Sequence, residues 1–506
     1  MVNDPPKPDI SRRTGPRAVP QRPTAPAADG PGLLHTDGVW REATDGARTP
    51  TITPADESEI RTATSPTQGV PTFLSKEEIM TRNVSVGANS ALSKELELSN
   101  GVTLSNRIAQ SAMTEHLATG DGAPSWQLIE AYRRFAVSGA ALIISGNVMV
   151  NGWSLEAPRN VVIEDERHMP ALRRWAATTT GSDAKLILQL SLPGRQTQRG
   201  LALAGRRQDV ATASAVPLTL GGRLFTPPRA LTDLEIRQII GQFASAARIA
   251  AEVGFAGVQI HAAHGYLLSQ FLSPLVNQRT DQWGGSVQNR MRMLIEVLRA
   301  VKSVTPQAFL LTVKMNVADF QPGGFDADDA LIVAKASQNE GVHLIEFSGG
   351  TYESSAMIDG GAAHDPSGVR EPYFLQYGQR FARELTVPVM LSGGFRSRTA
   401  MIEAVESGAA DVIGLARPIA VEPDFPRRIL DGTTDVSLAE PQKVGNKTID
   451  DLLSGAWYQE QIARLGRGKP TLPNRKPVVA LAIMLATMLR DRLIVRNPML
   501  TSTART

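Results

Sequence analysis

From residue 108 onward the sequence repeats one rhythm. A short run that is apolar at nearly every position is followed by a loop and then by a longer segment with helical spacing. The short runs are 108–113, 141–146, 185–190, 257–261, 310–314, 344–348, 387–392 and 412–415. Helical spacing falls on 127–137, 169–179, 233–253, 287–303, 326–340, 373–384 and 399–407. Runs without polar alternation are those of strands covered on both faces. Eight strand–helix units within about 330 residues have the size and order of a (β/α)8 barrel. A doubly wound open sheet is the competing α/β arrangement, but no glycine-rich nucleotide turn follows the first run. Ahead of the first run, residues 95–106 alternate on either side of Asn100-Gly101, the pattern of a tight hairpin.

The flanks read differently. Residues 1–90 are rich in Pro, Thr, Ala, Gly, Asp and Arg and lack sustained periodicity, so they are expected to be a disordered, low-complexity extension. The barrel domain is expected over 91–435. Residues 436–506 read as a helical tail, with an amphipathic stretch at 452–466 and an uncharged apolar run at 477–489. That run is shorter than the ~20 residues of a membrane span. It reads as a helix packed on protein, with Arg490, Arg492 and Arg496 leaving membrane-surface contact as the alternative. The linker over 195–230 is too long for an ordinary connection and reads as an excursion over the rim.

Composition removes several function classes. The chain of 506 residues has a net charge of only +3, which does not point to nucleic acid. It contains no cysteine, so disulfides, thiolate zinc sites, iron–sulfur clusters and cysteine nucleophiles are all excluded. No apolar signal region opens the chain, and a cytoplasmic location is expected.

In a barrel of this type the chemistry sits at the C-terminal ends of the strands. Those ends carry Thr114, Gly146, Gln189, His261, Lys314, Ser348, Ser392 and Arg417. The fourth is the most unusual: His261-Ala-Ala-His264-Gly-Tyr266 places three polar rings within six residues. His-x-x-His is also half of a metal site, but a third ligand would have to be His116, His364 or a carboxylate, and no metal is expected. After the seventh run, Gly393 and Gly394 let backbone N–H groups approach an anion, and Arg417 after the eighth can clamp a phosphate.

These residues resemble the old yellow enzyme family of FMN-dependent NADH:flavin oxidoreductases. The likeness covers about 96–432. It rests on Leu104-Ser-Asn106-Arg107 through Met113-Thr114-Glu115, on Gln189-Leu-Ser-Leu-Pro-Gly194-Arg195, on the block from His261 to Arg290, and on Ser392-Gly-Gly-Phe-Arg396. The resemblance implies FMN across the barrel mouth, its phosphate at Gly393, Gly394 and Arg417. It implies Gln189 at the pyrimidine edge, Thr114 near flavin O4, Gly146 under the ring and Lys314 near N1 and O2. It further implies NAD(P)H as co-substrate and an enone-type small molecule as acceptor. His261 and His264 would hold the carbonyl oxygen, with Tyr352 at the substrate, and Tyr266 would supply the proton. Lys314 stands where Arg is frequent, and Ser191-Leu192 where Asn-His is frequent. Lys314 with Ser348-Gly-Gly-Thr351-Tyr-Glu353 is most similar to fungal members. Two alternatives stay open on the residues alone: a barrel lyase using Lys314 as a Schiff-base amine, and a non-catalytic flavin-binding scaffold. The oligomeric state is not legible.

Overall fold

In the computed structural model, eight parallel strands close on themselves in sequence order. We number them β1 (Ile108–Gln110), β2 (Leu142–Met149), β3 (Lys185–Ser191), β4 (Gly257–Ala262), β5 (Leu310–Asn316), β6 (Leu344–Ser348), β7 (Val389–Ser392) and β8 (Val412–Leu415). The residues described are 33–36, 39–42, 90–157, 159–203, 206–218, 224–349, 375–440, 443 and 447–496, with side chains omitted at 33–42, 447–448, 451 and 488–496.

Strand burial explains the composition of the runs. All eight residues of β2 and all seven of β5 are buried. One set of side chains faces the barrel interior and the other faces the helices. The connecting helices are α1 (Trp126–Ala136), α2 (Met169–Ala176), α3 (Asp233–Val253), α4 (Arg292–Val304), α5 (Ala327–Asn339), α6 (Leu375–Glu384), α7 (Arg398–Glu406) and α8 (Phe425–Leu430). α3 shows why they form. Thr232 caps it in a capping box with Glu235, and Ile236, Ile239, Phe243, Ala246, Ala247 and Ala250 recur at helical spacing on its buried face. The helical spacing over 287–303 resolves into a short helix, Val287–Arg290, followed by α4.

The barrel has two distinct ends. Leu96–Glu97 pairs with Thr103–Leu104 as an antiparallel hairpin. Its Leu98 and Leu104 pack with Ala109, Leu142, Ile187, Leu310, Leu344, Met390 and Val412, an apolar layer drawn from the strands. The apolar layer and the polar strand ends thus divide the barrel lengthwise.

Beyond β8 lie α9 (Lys447–Leu465) and α10 (Pro477–Arg496), which pack against each other. Trp457 of α9 and Ala480 of α10 are buried with Val421 and Ala439. Thr471 donates to the Val421 carbonyl at 2.6 Å, which ties the connection between the two helices to the barrel. Among the described residues no helix is long and apolar enough to cross a membrane.

Most of the expected extension over 1–90 lies outside the described residues. Leu33–Thr36 pairs antiparallel with Val39–Glu42. Asp37-Gly38 separates the two strands in sequence. This pair belongs to a unit, Met1–Arg82, separate from the barrel unit.

Candidate active site

The strand register brings the site together. His261 of β4 lies beside Lys314 of β5, and Lys314 lies beside Glu346 of β6. One pleat below, Gln259 of β4 lies beside Gln189 of β3. Side chains two residues apart on a strand share a face, so these groups all line the mouth end of the barrel.

The three rings of 261–266 converge. The His261 ring lies 5.3 Å from that of His264 and 4.8 Å from that of Tyr266, both edge-on. His261 Nδ1 accepts the Ala263 backbone N–H at 3.3 Å, which leaves the proton on Nε2 as a donor. His264 takes the left-handed conformation at φ 59°. Asn316 holds it there by accepting its backbone N–H at 3.0 Å, and Gln196 donates to its carbonyl at 2.8 Å. His264 Nε2 lies 2.9 Å from Ser348 Oγ. Burial pushes both imidazoles well below the usual histidine range, and the Lys314 ammonium adds to the effect. Both are therefore neutral hydrogen-bonding groups at physiological pH.

Lys314 carries the local positive charge. Its Nζ lies 2.8 Å from Glu346 Oε1, with the two side chains 5% and 0% exposed. Burial alone would raise the Glu346 carboxyl. The ammonium of Lys314 and hydrogen bonds from Lys314, Ser392 and Gln259 hold it below the usual carboxylate range. This pairing weighs against the lyase alternative, because a Schiff-base nucleophile must be a free amine.

Around Glu346 runs a polar belt. Gln189 Nε2 donates to Gln259 Oε1 at 2.7 Å, and Gln259 Nε2 donates to Glu346 Oε2 at 2.8 Å. Ser392 donates to Glu346 Oε1, and Ser392 and Ser111 share a 2.7 Å bond. Neither Glu346 nor Gln259 was anticipated as a site residue. The available signal was a polar residue inside an otherwise apolar run, in Leu344-Ile-Glu-Phe-Ser348 and Gly257-Val-Gln-Ile-His261.

Thr114 donates to Asn147 Oδ1 at 3.3 Å. Gly146 sits where β2 bulges between Ile144 and Asn147. Its N–H donates to Glu115 Oε1 at 2.9 Å, so that amide is turned toward the carboxylate. A Cβ there would lie 2.2 Å from Glu115 Oε2, which is why the position is glycine. Tyr132 of α1 donates to the same carboxylate, and burial raises the pKa of both groups. Glu115 and Tyr132 are a second pair absent from the sequence expectation.

At the far side of the mouth, Gly393 and Gly394 take φ 121° and 84° immediately after β7. Arg417 follows β8, its guanidinium 5.8 Å from the Tyr458 ring of α9. Arg396 is paired with Glu440 at 3.2 Å. Tyr352 lies outside the described residues. Leu192, where the family frequently has a polar side chain, is buried in the core at 4% exposure.

A closed eight-stranded barrel with two neutral imidazoles, a cation, and a glycine pair and an arginine after its last two strands is the arrangement expected of a (β/α)8 oxidoreductase that binds a flavin nucleotide. The donor set fits FMN: a glycine pair and Arg417 for a phosphate, Lys314 for negative charge, and Gln189, whose amide carbonyl is uncommitted among the described residues.

The comparisons with known proteins agree. The model of the NADH:flavin oxidoreductase / NADH oxidase family matches residues 92–435. An NADH-dependent flavin oxidoreductase from Talaromyces variabilis is 35% identical over 361 residues, 68% of this chain and 87% of that protein. One from Neonectria sp. (strain DH2) is 34% identical over 354 residues, and there the match covers 66% of this chain but only 46% of the longer relative. The solved old yellow enzyme homologue from Zymomonas mobilis shares the fold, with a TM-score of 0.58 at 24% identity over 69% of this chain and 94% of its own. The chain belongs to the NADH:flavin oxidoreductase / NADH oxidase family, and it is an NAD(P)H-dependent oxidoreductase with FMN as its cofactor.

Proposed function

We propose that this enzyme reduces the activated C=C bond of an α,β-unsaturated carbonyl compound. Bound FMN, once reduced by NAD(P)H, would supply the hydride for the β-carbon. The observation that carries the reading is the group at the end of β4: two neutral imidazoles and a phenol converging beside a buried ammonium.

His261 Nε2–H and the His264 ring hold the substrate's carbonyl oxygen. Negative charge grows on that oxygen as the β-carbon is reduced, so donors already fixed there stabilise the transition state more than the ground state. Neutral donors suit this role, since they polarise the oxygen without surrendering a proton to it. Tyr266 gives its hydroxyl proton to the α-carbon. Lys314 would offset negative charge on the cofactor. Thr114, Gly146 and Gln189 would hold the cofactor ring, and Gly393, Gly394 and Arg417 its phosphate. Tyr352 is the remaining substrate contact.

The test separates the half-reactions. Under anaerobic conditions Tyr266→Phe is expected to be reduced by NADH or NADPH at close to the wild-type rate. Its reoxidation by 2-cyclohexenone is expected to slow by about 10²-fold or more, the range of a positioned acid. Equal slowing of both halves refutes the proton-donor role. A wild-type protein that binds no FMN refutes the whole reading.

A further inference from the structure

Glu346 is hydrogen-bonded to neither His261 nor His264, yet three hydrogen-bond donors converge on it inside the barrel. Its chemistry restricts its neighbours. An ionised carboxylate accepts hydrogen bonds and donates none. The atom of Gln259 that lies 2.8 Å from Glu346 Oε2 must therefore be the amide nitrogen. That places Gln259 Oε1 toward Gln189, so the atom of Gln189 that meets it must be Nε2 in turn. The orientation of two side-chain amides, each of which has two nearly isosteric states, is thereby dictated from one end.

We propose that Glu346 is a positioning residue of the flavin site: its carboxylate sets the donor–acceptor polarity of the Gln259–Gln189 relay, so that Gln189 offers its carbonyl oxygen and one remaining N–H to the pyrimidine edge of FMN. An imide N–H beside a carbonyl is complementary to that arrangement and mismatched to the reversed one. The same carboxylate fixes Lys314 at 2.8 Å, so a single buried group orients the neutral and the charged contacts together. Its burial fits this task, because a carboxylate open to water would impose no polarity on a distant amide. The proposal rests on FMN binding at this mouth.

An amide at position 346 has a definite consequence. Glu346→Gln keeps the shape, but its carbonyl is held by Lys314 and Ser392, and its NH2 then faces Gln259. The relay must reverse, and Gln189 offers NH2 where it had offered a carbonyl. Combining Glu346→Gln with Gln259→Glu returns an acceptor-only group to the relay. The carboxylate at 259 accepts from the amide at 346 and from Gln189 Nε2, so Gln189 keeps its native polarity.

The experiment measures the FMN dissociation constant and the visible absorption spectrum of bound FMN, using full-length wild type, Glu346→Gln and the double variant. Glu346→Gln is expected to bind FMN about tenfold or more weakly, which is ~1.4 kcal/mol, with shifted absorption bands. The double variant is expected to return to within about threefold of wild type (~0.7 kcal/mol) with the native spectrum. The proposal is overturned if Glu346→Gln binds FMN as wild type does, or if the double variant is as weak as the single one. Should Glu346→Gln fail to fold, the double variant decides alone, since a tenfold loss there contradicts the polarity argument. A wild type that takes up no FMN would instead refute the cofactor site, which keeps the two failures distinct.

Discussion

At the scale of single residues, three histidines held below their ordinary pKa make stability depend on pH. His261 and His264 are pushed well below the usual 6.5, first by burial. His116 is lowered to about 4, by burial and then by the nearby Arg159 guanidinium. The unfolded chain takes up protons on these rings below pH 6.5, whereas the folded chain does not. Stability is therefore fully present above 6.5 and falls as the pH drops toward the folded values. Each such ring contributes up to about 1.4 kcal/mol per pH unit over that window. Denaturant unfolding at pH 7.0 and 5.5 is expected to show this loss. His116→Asn should lessen it, because Asn tolerates the left-handed φ of 55° at that position and cannot be protonated. An identical pH slope in variant and wild type would remove His116 from the account. Tyr266 and the two histidines of 261–264 were legible in the sequence because three polar rings at a strand end stand out. Glu346 was not, because its partners Lys314, Gln259 and Ser392 come from three other strands, and only the register shows that they meet.

At the scale of elements, periodicity located the strands and helices, and tertiary context set their ends. α3 occupies the whole of its helical pattern because a capping box starts it. β1 ends at Gln110, three residues short of its apolar run, since its ladders with β2 and β8 stop there. The bulge of β2 had no sequence signature beyond a glycine, and the carboxylate of Glu115 lies against it. Gly146→Ala forces a methyl group against Glu115 and against the Met113 carbonyl, which would lie 2.3 Å from the new Cβ. Overpacking of this kind costs about 1–3 kcal/mol. The denaturation midpoint should fall accordingly, and an unchanged midpoint would mean that the β1–α1 loop yields freely.

At the scale of the whole molecule, the C-terminal helices lie outside the family match yet meet the proposed phosphate corner. The apolar runs predicted helices at 452–466 and 477–489, but docking depends on Trp457, Val421 and Ala439 meeting, which no spacing rule reports. Tyr458 stacks under Arg417, and cation–π contacts contribute about 0.5–2 kcal/mol. Tyr458→Ala is therefore expected to weaken FMN binding by roughly two- to thirtyfold, with little change in substrate affinity at saturating FMN. Titration of the apoprotein by fluorescence quenching checks this, and unchanged FMN affinity would confine α9 to a packing role.

Closure of the barrel has a kinetic side. β1 pairs with β8, and Arg107 reaches the Asp411 carbonyl across 304 residues of sequence. During synthesis one flank of β1 therefore has no partner until nearly the entire barrel has been made. For that interval the nascent chain carries an open strand edge, the kind of surface on which chains join one another. The yield of folded protein is therefore expected to depend on how well that edge is shielded while translation proceeds.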